Sequence, residues 1–446
     1  MGQGSCTHVC QRTKDSSDGH DTAKGLRWGV SCMQGWRDSM EDAHLVGGSV
    51  VGLAFPEGAE VPEALLWEDT ALFAVFDGHG GVQTARFCER HLPVELARAG
   101  HDDLNQALST AICRMDEMLF DPTYLSEFRS LTYPSSGTSA SKNTYDRLLG
   151  HPDHIGSTAV VCCLRDSTIC VGNVGDSRAV LCRGGQAVEL SMDHKPTCPS
   201  EGARIRSAGG WVDLEEERVN GDLALSRAIG DLEYKMNPNL GPGEQIISGV
   251  PDITSVQRQA DDEFIVIACD GVWDVMASQS VVDFVRPRLL ECQGRGAGVP
   301  PRQLSSVAEE LLDHCVSPAL DSGDNISMIL VVLEPCPPPI ANMAHESDSL
   351  RGALHRPAPR QTGWWMPSEE PKERQNRRRQ TWPQPQPMPL QQQQPQQQPT
   401  PLQRHQPQQQ PMPLQWQQLQ FQQQLLQMQQ PQRPQQRQPS PDMWSV

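Results

Sequence analysis

Between Gly25 and Leu333 the chain keeps returning to one pattern: a short apolar run, rich in Val and Ile, closed by Gly, Asp or Asn. The runs are Ala71–Phe76, Ser157–Leu164, Thr168–Val174, Ala179–Cys182, Phe264–Cys269 and Ser327–Leu333. Their shortness and β-branched content predict strands rather than buried helices. Arg183-Gly184-Gly185 reads as a hairpin turn. Between the runs, Val82–Ala99, Asp102–Leu119, Ser200–Ser207, Gln279–Leu290 and Arg302–Cys315 carry apolar residues at helical spacing. Strands outnumber helices and tight turns join several of them. The expectation is therefore an α+β fold, antiparallel sheets flanked by helices, rather than a doubly wound parallel sheet.

The ends of the chain differ from this body. Residues 1–23 are polar and unpatterned and are expected to be a flexible N-terminus. Residues 24–334 form the expected folded domain, with Asp121–Gly150, rich in Ser, Thr and Tyr, as an inserted surface loop. Residues 335–446 turn Pro-rich and then almost wholly Gln and Pro. Such a tail lacks the apolar surface that would offset its ordering entropy, and is expected to be disordered and free to bind other proteins.

Charge divides the same way. From Pro335 onward 11 Lys/Arg stand against 6 Asp/Glu, whereas the rest of the chain carries 26 against 49. An acidic body speaks against nucleic acid as a partner and suits a site that concentrates cations. Fourteen cysteines without regular spacing, and no apolar leader, argue against a disulfide framework. No stretch approaches the ~20 apolar residues that span a membrane. These features suggest a cytoplasmic protein, with the nucleus as a further location. The opening MGQGSC resembles an N-myristoylation site on Gly2, although Cys6 stands where Ser or Thr is usual. Acylation there would give peripheral membrane association.

The chemistry is suggested by where aspartates fall. Asp77 and Asp270 directly follow strand runs, Asp176 comes two residues after one, and Asp324 lies three residues before one. A single Asp at a strand end is an ordinary turn residue. Several in one domain would gather as packed strands bring their ends together, and clustered carboxylates repel unless cations neutralise them. Oxygen donors without a His or Cys cluster favour Mg2+ or Mn2+ over Zn2+.

In chain order the sequence contains GWRDSMEDAH, VFDGHGG, GSTAVV, VGDSRAVL, DHKP, RVNGDLALSRAIGD, ACDGVWDVM and GDNISMILVV. Motif after motif, this resembles the metal-dependent protein phosphatase 2C family, most closely the animal alpha/beta-type members. The resemblance implies two stacked antiparallel sheets with helices on both outer faces. It implies a serine/threonine phosphatase, acting as a monomer on phosphoserine and phosphothreonine proteins. A hydroxide bridging two metals would attack phosphorus directly, with no phosphoenzyme. By the same resemblance Asp77 bridges two metals and the Gly78 carbonyl binds one. Asp270 and Asp324 hold the second, while Glu41 and Asp42 act through metal-bound water. Asp176 and Asp274 serve a weaker third metal. Arg37 grips the substrate phosphate and His79 protonates the leaving oxygen. Asp193 and His194 of the DHKP motif follow no buried strand and are not counted as ligands; that segment is expected to position a flap running from Glu201 to Arg218. The alternative from another class is a catalytically weak phosphatase-fold scaffold that recruits partners through its tail.

Overall fold

A computed structural model describes residues 9–54, 67–100, 102–131, 151–292 and 303–334. Eleven strands within them build two large sheets. They are β1 (Gln11–Asp21), β2 (Leu26–Gly35), β3 (Ala43–Gly47), β4 (Thr70–Phe76), β5 (Ala159–Arg165) and β6 (Thr168–Val174). After these come β7 (Arg178–Arg183), β8 (Gln186–Glu189), β9 (Asp252–Gln257), β10 (Asp262–Ala268) and β11 (Ile326–Leu333). One sheet has the order β1-β2-β11-β10-β7-β8 and the other β9-β6-β5-β4-β3. Every neighbouring pair is antiparallel. The Arg183-Gly184-Gly185 turn joins β7 to β8 as its sequence implies.

Strand alternation explains the layering. In β4, Ala71, Phe73 and Val75 face the apolar layer between the sheets, while Leu72, Ala74 and Phe76 face the opposite side. There they pack on helices Gln83–Arg98 and Leu104–Leu119. On the far sheet, Val266 and Leu330 meet helices Ser278–Cys292 and Leu304–Cys315, and Ile265 and Ile329 turn inward. The adjacent Cys162 and Cys163 follow the same period and point to opposite layers. A strand buried on both faces must be apolar throughout, which is why the runs carry no polar alternation. The result is the expected helix–sheet–sheet–helix sandwich. No described helix is long and apolar enough to cross a membrane.

Two expectations need correction. The N-terminus is not flexible throughout: Gln11–Asp21 is strand β1, paired with β2 at the sheet edge. Its sequence hides it because most of its side chains face water. Backbone pairing holds it, together with Lys14 on Asp313 (2.8 Å) and Asp18 accepting from the Ser305 amide (3.0 Å). The start of the expected Asp121–Gly150 loop is also ordered, as a 3-10 turn at Pro122–Tyr124 and a helix at Leu125–Ser130. Phe128 is buried there, edge-on to Phe87 at 6.3 Å. A helix of six residues is too short to show a periodic signal. Residues 132–150, the tail from 335 and Gly2 lie outside the described residues.

Candidate active site

The ends of strands β4, β10 and β11 converge, and their acids with them. Asp77 follows β4. Its backbone amide donates to Thr158 Oγ1 (3.1 Å), and its carbonyl accepts from the Thr158 amide (2.9 Å). Asp270 follows β10 by two residues and opens the short helix Asp270–Trp273. Asp324 precedes β11. Its Oδ2 accepts from Arg37 Nη2 at 2.6 Å, and its Oδ1 from the Asn325 amide at 2.7 Å. Asn325 in turn ties down the Arg37–Asp42 loop, accepting from the Glu41 amide (2.9 Å) and donating to the Gln34 and Ser39 carbonyls. Glu41 Oε2 accepts from the Gly81 amide at 3.1 Å. Gly78 cannot carry a side chain, since a Cβ would lie 2.4 Å from the Glu41 carbonyl oxygen.

The electrostatics are those of crowded carboxylates. Burial raises the Asp77 carboxyl well above its usual range, and Asp270, Asp42, Asp324 and Asp176 raise it further. Asp270 is raised by burial and then by Asp176, Asp324 and Asp274. Burial pushes Asp42 up to about 6 despite a 2.6 Å hydrogen bond from Ser327 Oγ. Among the described residues, Asp42 Oδ1 and Asp270 Oδ1 are buried without a hydrogen-bond partner. Unpaired buried oxygens on acids that repel one another are suitable donors for a cation. Cys269 lies close enough to Asp42 and Asp77 to complete a three-ligand group. Burial, however, raises its thiol well above the ordinary value, and Sγ already bonds the Asn325 carbonyl and the Ser327 amide. That leaves an oxygen donor set, which fits Mg2+ or Mn2+.

His79 has a partner that sequence reasoning missed. Two short strands, Gly78–His79 and Gly156–Ser157, pair so that His79 faces Gly156. Gly156 also faces Gly230 of Ile229–Gly230. Asp231 comes next, and its Oδ2 lies 2.7 Å from His79 Nε2. Burial alone would lower the imidazole, but Asp231 outweighs it and raises His79 above its ordinary value. The buried Asp116 carboxylate anchors this ladder, accepting from the Gly230 amide (2.9 Å) and Lys235 Nζ (2.7 Å). Asp231 closes the RVNGDLALSRAIGD motif, but it follows a two-residue strand with no apolar run to mark it.

Asp176 and Asp274 are brought to the same cluster, where Lys195 Nζ stands 2.7 Å from Asp176 Oδ2 and 3.5 Å from Asp274 Oδ1. Asp193 and His194 hold structure instead. Asp193 takes two hydrogen bonds from Arg178, at 2.8 and 2.7 Å. His194 Nδ1 accepts from the Gly175 amide (3.1 Å), and its Nε2 faces Asp252 (3.2 Å). The segment expected as a flap, Glu201–Arg218, starts within helix Pro199–Ser207, which buried Glu201 pins to Arg204, Ser226 and Arg227.

Comparison with known proteins agrees with this geometry. The sequence pattern of "Protein phosphatase 2C" matches residues 26–326. "Probable protein phosphatase 2C 58" of Oryza sativa subsp. japonica is 36% identical over 380 residues, covering 79% of this chain and 94% of the relative. "Protein phosphatase 1B" of Rattus norvegicus is 36% identical over 338 residues, covering 72% and 74%. Among solved structures, a phosphatase from Toxoplasma gondii superposes with a TM-score of 0.55 at 25% identity, covering 72% of this chain and 96% of that one. A Caenorhabditis elegans sex-determining protein has the same fold, with a TM-score of 0.53 at 23% identity over 70% of this chain and 66% of that one. A family pattern spanning most of the folded body, relatives aligned over most of their length and an acidic cluster at the strand ends converge on one assignment. The chain belongs to the protein phosphatase 2C family and is a protein serine/threonine phosphatase.

Proposed function

We propose that the acidic cluster holds two divalent cations, Mg2+ or Mn2+, with a weaker third, and that the site hydrolyses phosphoserine and phosphothreonine in proteins without a phosphoenzyme. The observation that carries this is the convergence of Asp42, Asp77, Asp176, Asp270 and Asp324, with two buried oxygens left unpartnered. Asp77 would bridge the two main ions, with the Gly78 carbonyl on one and Asp270 and Asp324 on the other. Glu41 and Asp42 would act through water, and Asp176 and Asp274 would hold the third. When bound, the cations lower the pKa of water and offset charge on the phosphate oxygens.

The protein's own groups do the rest. Arg37 lies at the edge of the acidic cluster, its side chain 59% exposed, with one guanidinium nitrogen on Asp324. Among the described residues only Asp324 holds this guanidinium, so its remaining donors can take two phosphate oxygens together, which a lysine could not do in that fixed geometry. Asp231 holds His79 Nε2, so the proton delivered to the leaving serine or threonine oxygen is the one on Nδ1. Asp231 also keeps the imidazole charged closer to neutral pH, as an acid requires. A complete carboxylate set speaks against the scaffold alternative.

Phosphate release from a phosphothreonine peptide, measured with Mg2+ or Mn2+ and with chelator, beside a small aryl phosphate, tests this. Metal-dependent release from the peptide is expected. No release from any substrate would overturn the proposal, and release from the small ester alone would remove its protein substrates.

A further inference from the structure

The placement of Lys195 bears on the proposed third cation, and its significance rests on the proposed metal site. Lys195 Nζ contacts Asp176 Oδ2 at 2.7 Å and lies 3.5 Å from Asp274 Oδ1. These are the two carboxylates proposed for that ion, so the ammonium and a divalent cation would compete for the same oxygens.

The backbone at Lys195 is tied down, whereas its side chain reaches the carboxylates through a flexible stem. The two preceding residues are fastened on both sides, Asp193 by Arg178 and His194 by the Gly175 amide and Asp252. Gly175 adjoins Asp176, so the backbone carrying the lysine is tied to the loop carrying the carboxylate. The Lys195 side chain is 29% exposed, and Asp274 is 59% exposed. Four flexible carbons can therefore swing the ammonium into water without unfolding anything. Asp176, at 4% exposure, cannot follow it. Left alone, that carboxylate would face Asp270 without a counter-charge.

We infer that Lys195 is a built-in placeholder cation: its ammonium neutralises Asp176 and Asp274 until a third divalent ion arrives, and must swing out to admit it. The apparent affinity of that ion is then reduced by the fraction of molecules in which the lysine has left. Weakness of the third site becomes a property of Lys195 rather than of a poor ligand set. An ordinary structural ion pair would behave differently. Its removal would lower stability and leave ion binding unchanged.

Direct ion binding separates the two. Mn2+ is titrated into the full chain, with free Mn2+ followed by electron paramagnetic resonance and heats by calorimetry. For Lys195→Gln and Lys195→Met, the third step should tighten on the order of tenfold while the two tighter steps stay in place. Lys195→Arg, which keeps the cation, should behave as the parent chain. Retention of the two tight ions shows that each variant is folded. A third step unchanged or weaker in both neutral variants would overturn the placeholder, and so would tightening in Lys195→Arg. No Mn2+ bound by the parent chain would instead remove the proposed metal site, and the placeholder with it.

Discussion

Asp231 Oδ2 lies 2.7 Å from His79 Nε2, although 152 residues separate the two in sequence. Asp231 reaches it with its backbone in the left-handed region (φ 49°), a conformation Asp tolerates better than most residues. Burial lowers and Asp231 raises the imidazole pKa, and Asp231 wins. Replacing Asp231 by Asn removes the charge while keeping the shape. The alkaline limb of kcat should then move to lower pH, because the acid form of His79 is lost sooner. The expected loss at neutral pH is about tenfold to a hundredfold, within the range attributed to a general acid. A full pH–rate profile of the variant checks this; an unmoved limb would sever Asp231 from the proton delivery.

The same pair makes Gly156 sensitive. A Cβ there would come within 2.1 Å of Asp231 Oδ2 and 2.3 Å of His79 Nε2. Gly156→Ala should therefore push the two apart and lower kcat on the order of a hundredfold, with KM for peptide little changed. Steady-state kinetics on a phosphothreonine peptide give the split.

Asp42, Asp77 and Asp270 all have carboxyls raised in the folded chain. An acid whose folded pKa exceeds its unfolded one destabilises the fold where it is ionised; the penalty shrinks as pH falls below the folded value and is gone below the unfolded one. For Asp42 that window runs from about 6 down toward 3.8. Chelated protein should lose stability as pH rises through this window, and Mn2+ should restore it by binding the folded state. Asp270→Asn should blunt both effects and reduce activity by at least about a hundredfold. Thermal melts with and without chelator, read across pH, show the pattern.

Glu201 behaves oppositely. Arg227, Ser226 and Arg204 overcome its burial and hold its carboxyl down at about 2, below the ordinary value of 4.5. The stability it supplies is present above about 4.5 and is lost as pH falls toward 2. Glu201→Gln leaves the part-buried Arg204 without its hydrogen-bonded carboxylate and Arg227 with Asp252 alone, and should cost about 1–3 kcal/mol at neutral pH. The acid loss should become shallower in that variant. Denaturant unfolding at several pH values measures both.

Strand β1 predicts a role for residues that look dispensable. Removing residues 1–21 would bare the edge of β2 and strip Lys14 from Asp313 and Asp18 from Ser305. It would also uncover Trp28, against which Gly19 packs. The shortened chain should melt several degrees lower, consistent with a loss of about 1–3 kcal/mol. Calorimetry on the two chains decides it.

The sequence determined the strands buried on both faces and the helices covering them, because alternation and helical spacing are local patterns. It also marked Asp77, Asp270 and Asp324, since an acid beside an apolar run stands out. Strand β1 escaped because an edge strand facing water needs no apolar signal, and its partners, Asp313 among them, come from the far end of the domain. Asp231 and Lys195 acquire their roles through partners distant in the chain or across a loop. The ladder from His79 through Gly156 to Gly230 selects Asp231, and the tie from His194 to Gly175 holds Lys195 beside Asp176. Registers of that kind are settled by packing between distant segments, and the order of residues along the chain does not display them.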